Sequence, residues 1–289
     1  MTPGFTERPL TARVGDDTLI GILAEPATPA RRAVLVIVGG PQYRAGSHRQ
    51  FVTLCRQLAA AGVAALRFDV RGMGDSLGTP RSFEAIDDDI GAMAATLRLH
   101  CPQLEHLVLW GLCDGASAAL MYCDSHADHG IAGLVLLNPW IRTPASQART
   151  RVKHYYTRRL RDPAFWRKLL HGGVGLAALR DAVRNLAHSR ARRPQGQAAA
   201  AATRVLPYPD RMARAWHAFQ GPIALILSGN DYTAKEFLEY TASAPDWQQA
   251  LAGSKMLRTD IATADHTFSR ADDAAQATRA SLALLARLD

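Results

Sequence analysis

Long apolar runs are what this sequence most plainly lacks. No stretch of its 289 residues approaches the ~18–20 apolar residues that a membrane helix needs, so a membrane-spanning protein is not expected. The opening, "MTPGFTERPLTARVGDD", has no basic-then-apolar leader layout, and the expected location is the cytoplasm. Cysteine is scarce: Cys55, Cys101, Cys113 and Cys123 are the only four. They form no CxxC pair and no metal-ligand spacing, which argues against a disulfide framework and a structural zinc site. No His/Asp cluster has ligand spacing either, so neither metal nor cofactor is expected. There is no internal repeat. Nucleic-acid binding is not expected, because no recognition motif or pattern of stacking aromatics accompanies the basic residues.

Charge is present but uneven. The chain carries a formal +8. From Arg142 to Arg214 there are 15 Arg and 2 Lys against Asp162, Asp181 and Asp210, a net +14, which leaves −6 for the rest. Such asymmetry implies structural units with different surfaces, and a basic surface suits either plain solvation or an acidic ligand.

Apolar runs of strand length recur through the chain: "AVLVIV" (33–38), "VAALRFD" (63–69), "HLVLWG" (106–111), "IAGLVLLN" (131–138), "PIALILSG" (222–229) and "KMLRTDI" (255–261). Continuous apolar strands are those buried on both faces. Two further strands are expected around "GDD" in 11–24. Helical spacing predicts helices over 47–62, with Ser47 at its start, over 83–100, over 116–126, and from about Ser269 to Leu288. Strand and helix alternate, so the expected fold class is α/β, a parallel sheet with helices on both faces. Residues 141–220 break the alternation with basic, helix-like segments and a low-complexity stretch. The expected organisation is therefore a core in two parts, 1–140 and 221–289, around a helical basic insertion at 141–220.

The chemistry gathers at strand ends. "LVLWGLCDGASAAL" reads as strand, sharp turn, helix, and its turn fits G-x-nucleophile-x-G with Cys113 at the centre. Such a turn demands an acid after a later strand and then a histidine. "LILSGNDYT" supplies Asp231, with Asn230 as a neighbour less able to stabilise an imidazolium. "IATADHTF" supplies His266; the adjacent Asp265 is poorly placed to turn onto it. The order Cys113, Asp231, His266 is the one demanded. An oxyanion hole would use the Asp114 N–H and an N–H from "VGGPQ". Gly40 is the expected donor and Gln42 the backup, since Pro41 has no N–H. In "RFDVRGMGDSLGTP", Ser76 lacks a strand-turn-helix setting and is expected to be structural.

With these residues in hand, the chain resembles the alpha/beta-hydrolase superfamily, through "VGGPQ", "DVRGMGDSLG", "GLCDGAS", "SGND" and "DHTF". The resemblance implies a mostly parallel eight-stranded sheet, with a helical lid inserted after the sixth strand, where 141–220 falls. A narrower resemblance, in "GGPQYRAGSHRQF", "GLCDGASAAL", "NPWIRT", "KHYYTRRL" and "FWRKLL", is to the hydrolase 1 type associated with exosortase A, whose members accompany exopolysaccharide production. Cys113 in place of the usual serine is similar to the cysteine of dienelactone hydrolases. The expected catalytic unit is a Cys-His-Asp triad acting through a thioester on an ester, thioester or lactone. Acyl transfer by the same triad, and ligand or partner binding without turnover, are the alternatives. The expected partner is a small acyl substrate; the basic segment would suit an anionic one linked to CoA, a carrier protein or a saccharide. Lid residues Tyr155, Tyr156, Phe165, Trp166 and Leu169 would line an apolar pocket or form the lid's own core. Asp114 would oppose thiolate formation only if its side chain turned toward the sulfur.

Overall fold

The computed structural model describes residues 4–142, 206–253 and 255–288. Residues up to Ile141 and from Leu206 onward form one compact unit. In chain order its elements are β1 (Phe5–Val14), β2 (Asp17–Pro26), β3 (Arg32–Ile37), α1 (Gln50–Ala60), β4 (Ala64–Phe68), α2 (Asp87–His100), β5 (His106–Leu112) and α3 (Asp114–Ser125). Then come β6 (Gly133–Leu137), α4 (Tyr208–Ala218), β7 (Ile223–Ser228), α5 (Tyr232–Ser243), α6 (Pro245–Leu251), β8 (Met256–Ile261) and α7 (Ala271–Leu285). The strands form one eight-stranded sheet in the order β1-β2-β4-β3-β5-β6-β7-β8. β2 runs antiparallel to both β1 and β4, and every later pairing is parallel. The doubly covered α/β sheet expected from the apolar runs is therefore present.

The central runs are apolar throughout because both of their faces are covered. Side chains alternate across a strand, so Val34 and Val36 pack with Phe51, Leu54 and Leu58 of α1 and Leu284 of α7 on one face. Leu35 and Ile37 pack with Ile90, Met93 and Leu97 of α2 and with α3 on the other. Each such buried side chain contributes about 1.5–3 kcal/mol. Among the described residues no helix is long and apolar enough to cross a membrane.

The structure departs from the sequence reading at three helices. α1 begins at Gln50, not Ser47: His48 and Arg49 have positive φ. Ser47 does not cap the helix, since its N–H and hydroxyl both donate to Gln42 Oε1 (3.1 and 3.2 Å). The single helix expected over 83–100 is a short turn, Phe83–Ala85, capped by Ser82, and then α2. Asp89 in the first turn of α2 is buried and takes the Arg71 side chain at 2.5 Å and the Arg71 N–H at 2.8 Å. Finally, α4, which charge alone groups with the basic insertion, belongs to the unit that holds the sheet. Its Met212 and Trp216 are buried in the core, while Arg211 and Arg214 pair with Asp124 of α3 at 3.0 and 2.6 Å. The expected lid-pocket residues Tyr155, Tyr156, Phe165, Trp166 and Leu169 lie outside the described residues.

Candidate active site

Four strands deliver the site from their C-terminal ends. β3 leads to Gly39 and Gly40, β5 to Cys113, β7 to Asp231 and β8 to the loop of His266. The turn between β5 and α3 is sharp enough to force Cys113 to φ 61°, ψ −124°, a conformation that costs about 1–3 kcal/mol and recurs at functional sites. Two glycines make room for it. A Cβ on Gly111 would fall 2.4 Å from the Gly115 backbone, and one on Gly115 would fall 2.4 Å from Ile37 O. The turn is held on both sides: Cys113 N–H donates to Leu137 O at 2.9 Å, and Cys113 O accepts from Ala116 and Trp140 N–H at 3.1 and 3.2 Å.

Asp231 is buried and does two jobs. It caps α5, accepting from the Thr233 and Ala234 N–H groups at 3.1 and 3.2 Å. The same carboxylate takes His266 Nδ1 at 2.9 Å. The cap fixes the carboxylate, and the carboxylate then fixes the imidazole with Nε2 turned away from Asp231. Hydrogen bonds to Asp231 and then to the Cys113 thiol raise His266 to about 10, outweighing its desolvation. The imidazolium is thus the favoured form at neutral pH. The alternatives to Asp231 point elsewhere. Asn230 Nδ2 donates to Thr263 O at 3.2 Å. Asp265 is held by the Ser269 hydroxyl and by the Ser269 and Thr267 N–H groups at 3.0 and 3.1 Å. These bonds, the Ser269 hydroxyl first, draw its carboxyl below the usual range.

The other cysteines are excluded from thiolate chemistry. Burial pushes Cys55 and Cys123 up to about 12 and Cys101 up to about 11, whereas Cys113 is half-buried. Ser76 is buried and used on both sides, donating to Asp69 O at 2.7 Å and accepting from Ile20 N–H at 2.8 Å. Its neighbour Asp69 accepts from Arg44, which also reaches Asp75 at 2.6 Å, and so ties down the loop after Gly40. Gln42 does not serve as a spare donor: its N–H closes a turn onto Gly40 O at 2.8 Å.

One residue escaped the sequence reading. Asn138 is buried at the end of β6 with φ 43°, a conformation Asn tolerates better than most residues. Its Oδ1 accepts from Ser228 N–H at 2.8 Å, and its Nδ2 donates to Ser228 Oγ at 2.9 Å and to His266 O at 3.4 Å. It therefore joins β6, β7 and the histidine loop. The one signal for it in the sequence was a polar residue closing the apolar run "LVLLN". Asn138→Ala should leave buried Ser228 groups unpaired and cost about 1–3 kcal/mol. Urea unfolding should show a lower midpoint at unchanged m-value; an unaltered midpoint would remove Asn138 from this role.

Comparison with known proteins decides the family. Residues 29–237 match the family model described as serine aminopeptidase, S33. The chain belongs to that hydrolase family. No curated protein matches it significantly. Among solved structures, it is similar to an esterase of Pyrococcus furiosus at TM-score 0.64 and 14% identity, covering 98% of this chain and 91% of that one. A dienelactone hydrolase of Anabaena variabilis matches at TM-score 0.58 and 16% identity, over 98% and 96% of the two chains. Est1E of Butyrivibrio proteoclasticus, solved with ferulic acid bound, matches at TM-score 0.60 and 14% identity, over 96% and 99%. These likenesses show a shared fold. Within this S33 hydrolase the elbow residue is Cys113, although the family's description names a serine enzyme.

Proposed function

We propose that this S33-family hydrolase cleaves ester-type bonds with Cys113 as nucleophile, His266 as the proton carrier and Asp231 as the residue that orients and stabilises the imidazolium. One observation carries the reading: Cys113 sits on the strained turn between β5 and α3, and Asp231 holds His266 through Nδ1 at 2.9 Å, with the Cys113 thiol second among the groups that raise the His266 pKa. Substrates are carboxylic esters, thioesters or lactones of small molecules.

In the acylation half, the Cys113 thiolate attacks the acyl carbonyl, whose oxygen takes the negative charge beside the Gly40 and Asp114 N–H groups. The carbon–oxygen bond breaks, and the leaving alkoxide takes the proton of the His266 imidazolium. Neutral His266 then accepts a proton from water. The resulting hydroxide attacks the thioester, the carbon–sulfur bond breaks, and thiolate and imidazolium are restored. Ester and water have become acid and alcohol. A thioester is also open to amines, alcohols and thiols, so acyl transfer is the second reading.

The narrower resemblance supports a role beside exopolysaccharide and exosortase systems in the cytoplasm, with the basic segment 142–205 as a lid. An anionic acyl substrate, linked to CoA, a carrier protein or a saccharide, would be drawn by that charge. Pre-steady-state kinetics with p-nitrophenyl acetate test the reaction type. A burst of p-nitrophenol is expected, with product partitioning to acetate in water alone. Diversion of most acetyl groups to an added acceptor would favour the transferase, and no burst with slow linear release would count against a rate-limiting thioester. With an acyl-CoA, kcat/KM should fall as salt rises, because screening acts within about 10 Å at 0.1 M; a flat profile would remove the anionic-substrate idea.

The raised His266 also sets a pH dependence of stability. Its ordinary value is about 6.5, and in the folded protein it is about 10. The folded state therefore binds the proton more tightly. That stabilisation is fully present below about pH 6.5 and is lost as pH rises through about 10. The Tm advantage of wild type over His266→Gln should be largest in mild acid and shrink on the alkaline side. An advantage that grows with pH would contradict the imidazolium assignment.

A further inference from the structure

Packing between α1 and α7 is incomplete. A cavity of about 240 Å³ lies between them, far above the ~10–15 Å³ that admits one water, whereas native cores keep few voids of any size. The sequence makes the gap. α7 turns Ala271, Ala274 and Thr278 toward it from one helical face, and α1 turns Gln50, Leu54 and Gln57. The methyl groups of α7 are too short to fill the space opposite. The cavity opens to solvent at its rim, where His48, Thr53, Ser269 and Ala271 are exposed.

Its walls are uncharged and partly aromatic. Phe51, Trp110 and Phe268 border it. Phe51 and Trp110 meet edge to face with centroids 5.8 Å apart, and Trp110 Nε1 is satisfied within the protein by Ser281 Oγ at 3.1 Å. No Asp, Glu, Lys or Arg lines the cavity, although the chain is 21% charged. A charged ligand would find no ionic partner there, while an uncharged ring would find three others to pack against. Size agrees with this class. An apolar cavity of ~150 Å³ takes up benzene, so this one has room for a single ring with small substituents.

None of Cys113, Asp231 and His266 lines the cavity, so its occupant would not meet the sulfur. It would instead touch the elements that carry the site. Trp110 precedes the Cys113 turn on β5, Leu137 O accepts the Cys113 N–H at 2.9 Å, and Thr267 and Phe268 follow His266 directly. Phe268 is buried at φ 53°, an uncommon conformation for a bulky residue. His48 Nε2 donates to Thr267 O at 3.2 Å, joining the segment before α1 to the histidine loop. Where Phe268 borders the empty space it forfeits the dispersion that a fully packed ring gains.

We propose that the cavity between α1 and α7 is a second binding site, separate from the catalytic side chains, which takes a small uncharged aromatic molecule and steadies the histidine loop when filled. The site itself does not rest on the reading of Cys113 and His266 as catalytic; its effect on turnover does.

Fluorobenzene is a suitable probe. Its fluorine NMR signal should shift saturably with wild type, and Tm should rise with its concentration. The His266 ring resonances should move along the same titration curve. With p-nitrophenyl acetate, kcat should rise by about fivefold at unchanged KM, the size of a weak coupling between two sites. Ala274→Phe puts a ring into the space and should lose all of these responses. Wild-type crystals soaked in bromobenzene need no variant: an anomalous bromine peak should lie between Ala274 and Trp110. No saturable shift, or a bromine peak only elsewhere, would overturn the site. A raised KM at unchanged kcat would make the cavity part of the substrate site and overturn its separateness. Binding that leaves the His266 resonances in place would overturn the coupling. Movement of His266 without hydrolysis of any ester would fault the proposed function and leave this site standing.

Discussion

Replacing Cys113 with alanine is expected to abolish turnover, lowering kcat by about 10⁴-fold or more, as loss of a covalent nucleophile does when the remaining site can only bind and polarise. The fold should survive. Cys113 is half-buried at the edge of the core that faces α1 and α7, and removing one sulfur there costs about 1 kcal/mol. The turn itself is held by backbone bonds to Leu137 and Trp140, which alanine keeps. Cys113→Ser should retain weak activity at best, since a hydroxyl ionises far less readily than a thiol, whose free pKa is about 8.5. Steady-state rates beside thermal unfolding check the pair of claims; a folded, fully active alanine variant would end the covalent mechanism.

Replacing His266 with alanine should lower the acylation rate by about 10²–10⁴-fold near neutral pH. The variant loses the proton donor for the leaving group and the cation opposite the sulfur. As pH rises, a thiol without a partner ionises unaided, so part of the acylation rate should return on the alkaline side. Asp231→Asn should do less harm, because the imidazole stays in place, although the altered cap of α5 should lower stability. A pH-independent deficit in His266→Ala would mean that the imidazole does more than supply charge and a proton. If Asp265→Asn harmed acylation and Asp231→Asn did not, the acid would be misassigned, against the 2.9 Å bond to Asp231.

The three residues proposed as the triad stand out because their signals are local. A buried parallel strand reads as a short apolar run, and the turn after it must carry small residues, so Cys113, Asp231 and His266 stand out by position along the chain. The Gly39–Gly40 loop proposed to carry an oxyanion donor stands out for the same reason. What escaped depends on distant partners. Ser47 looked like a cap until Gln42 claimed both its N–H and its hydroxyl. The α4 segment looked like part of the basic insertion, because charge is counted along the chain while Asp124, which neutralises two of its arginines, comes from α3. Gln42 looked free to donate until its N–H closed a turn on Gly40. Asn138 has meaning only once β6, β7 and the histidine loop meet. For Asp114 the sequence left open which way the side chain points, and the empty space at Gly39 answers it.

The most direct measurement of the central claim is the intact mass of the enzyme quenched during turnover of an acyl ester panel, with peptide mapping of any adduct. One acyl group per chain, on Cys113, released by hydroxylamine as thioesters are and absent from Cys113→Ala, is the expected result. Turnover with no adduct on Cys113 under any quench, or an adduct on another residue that survives in Cys113→Ala, would contradict the account.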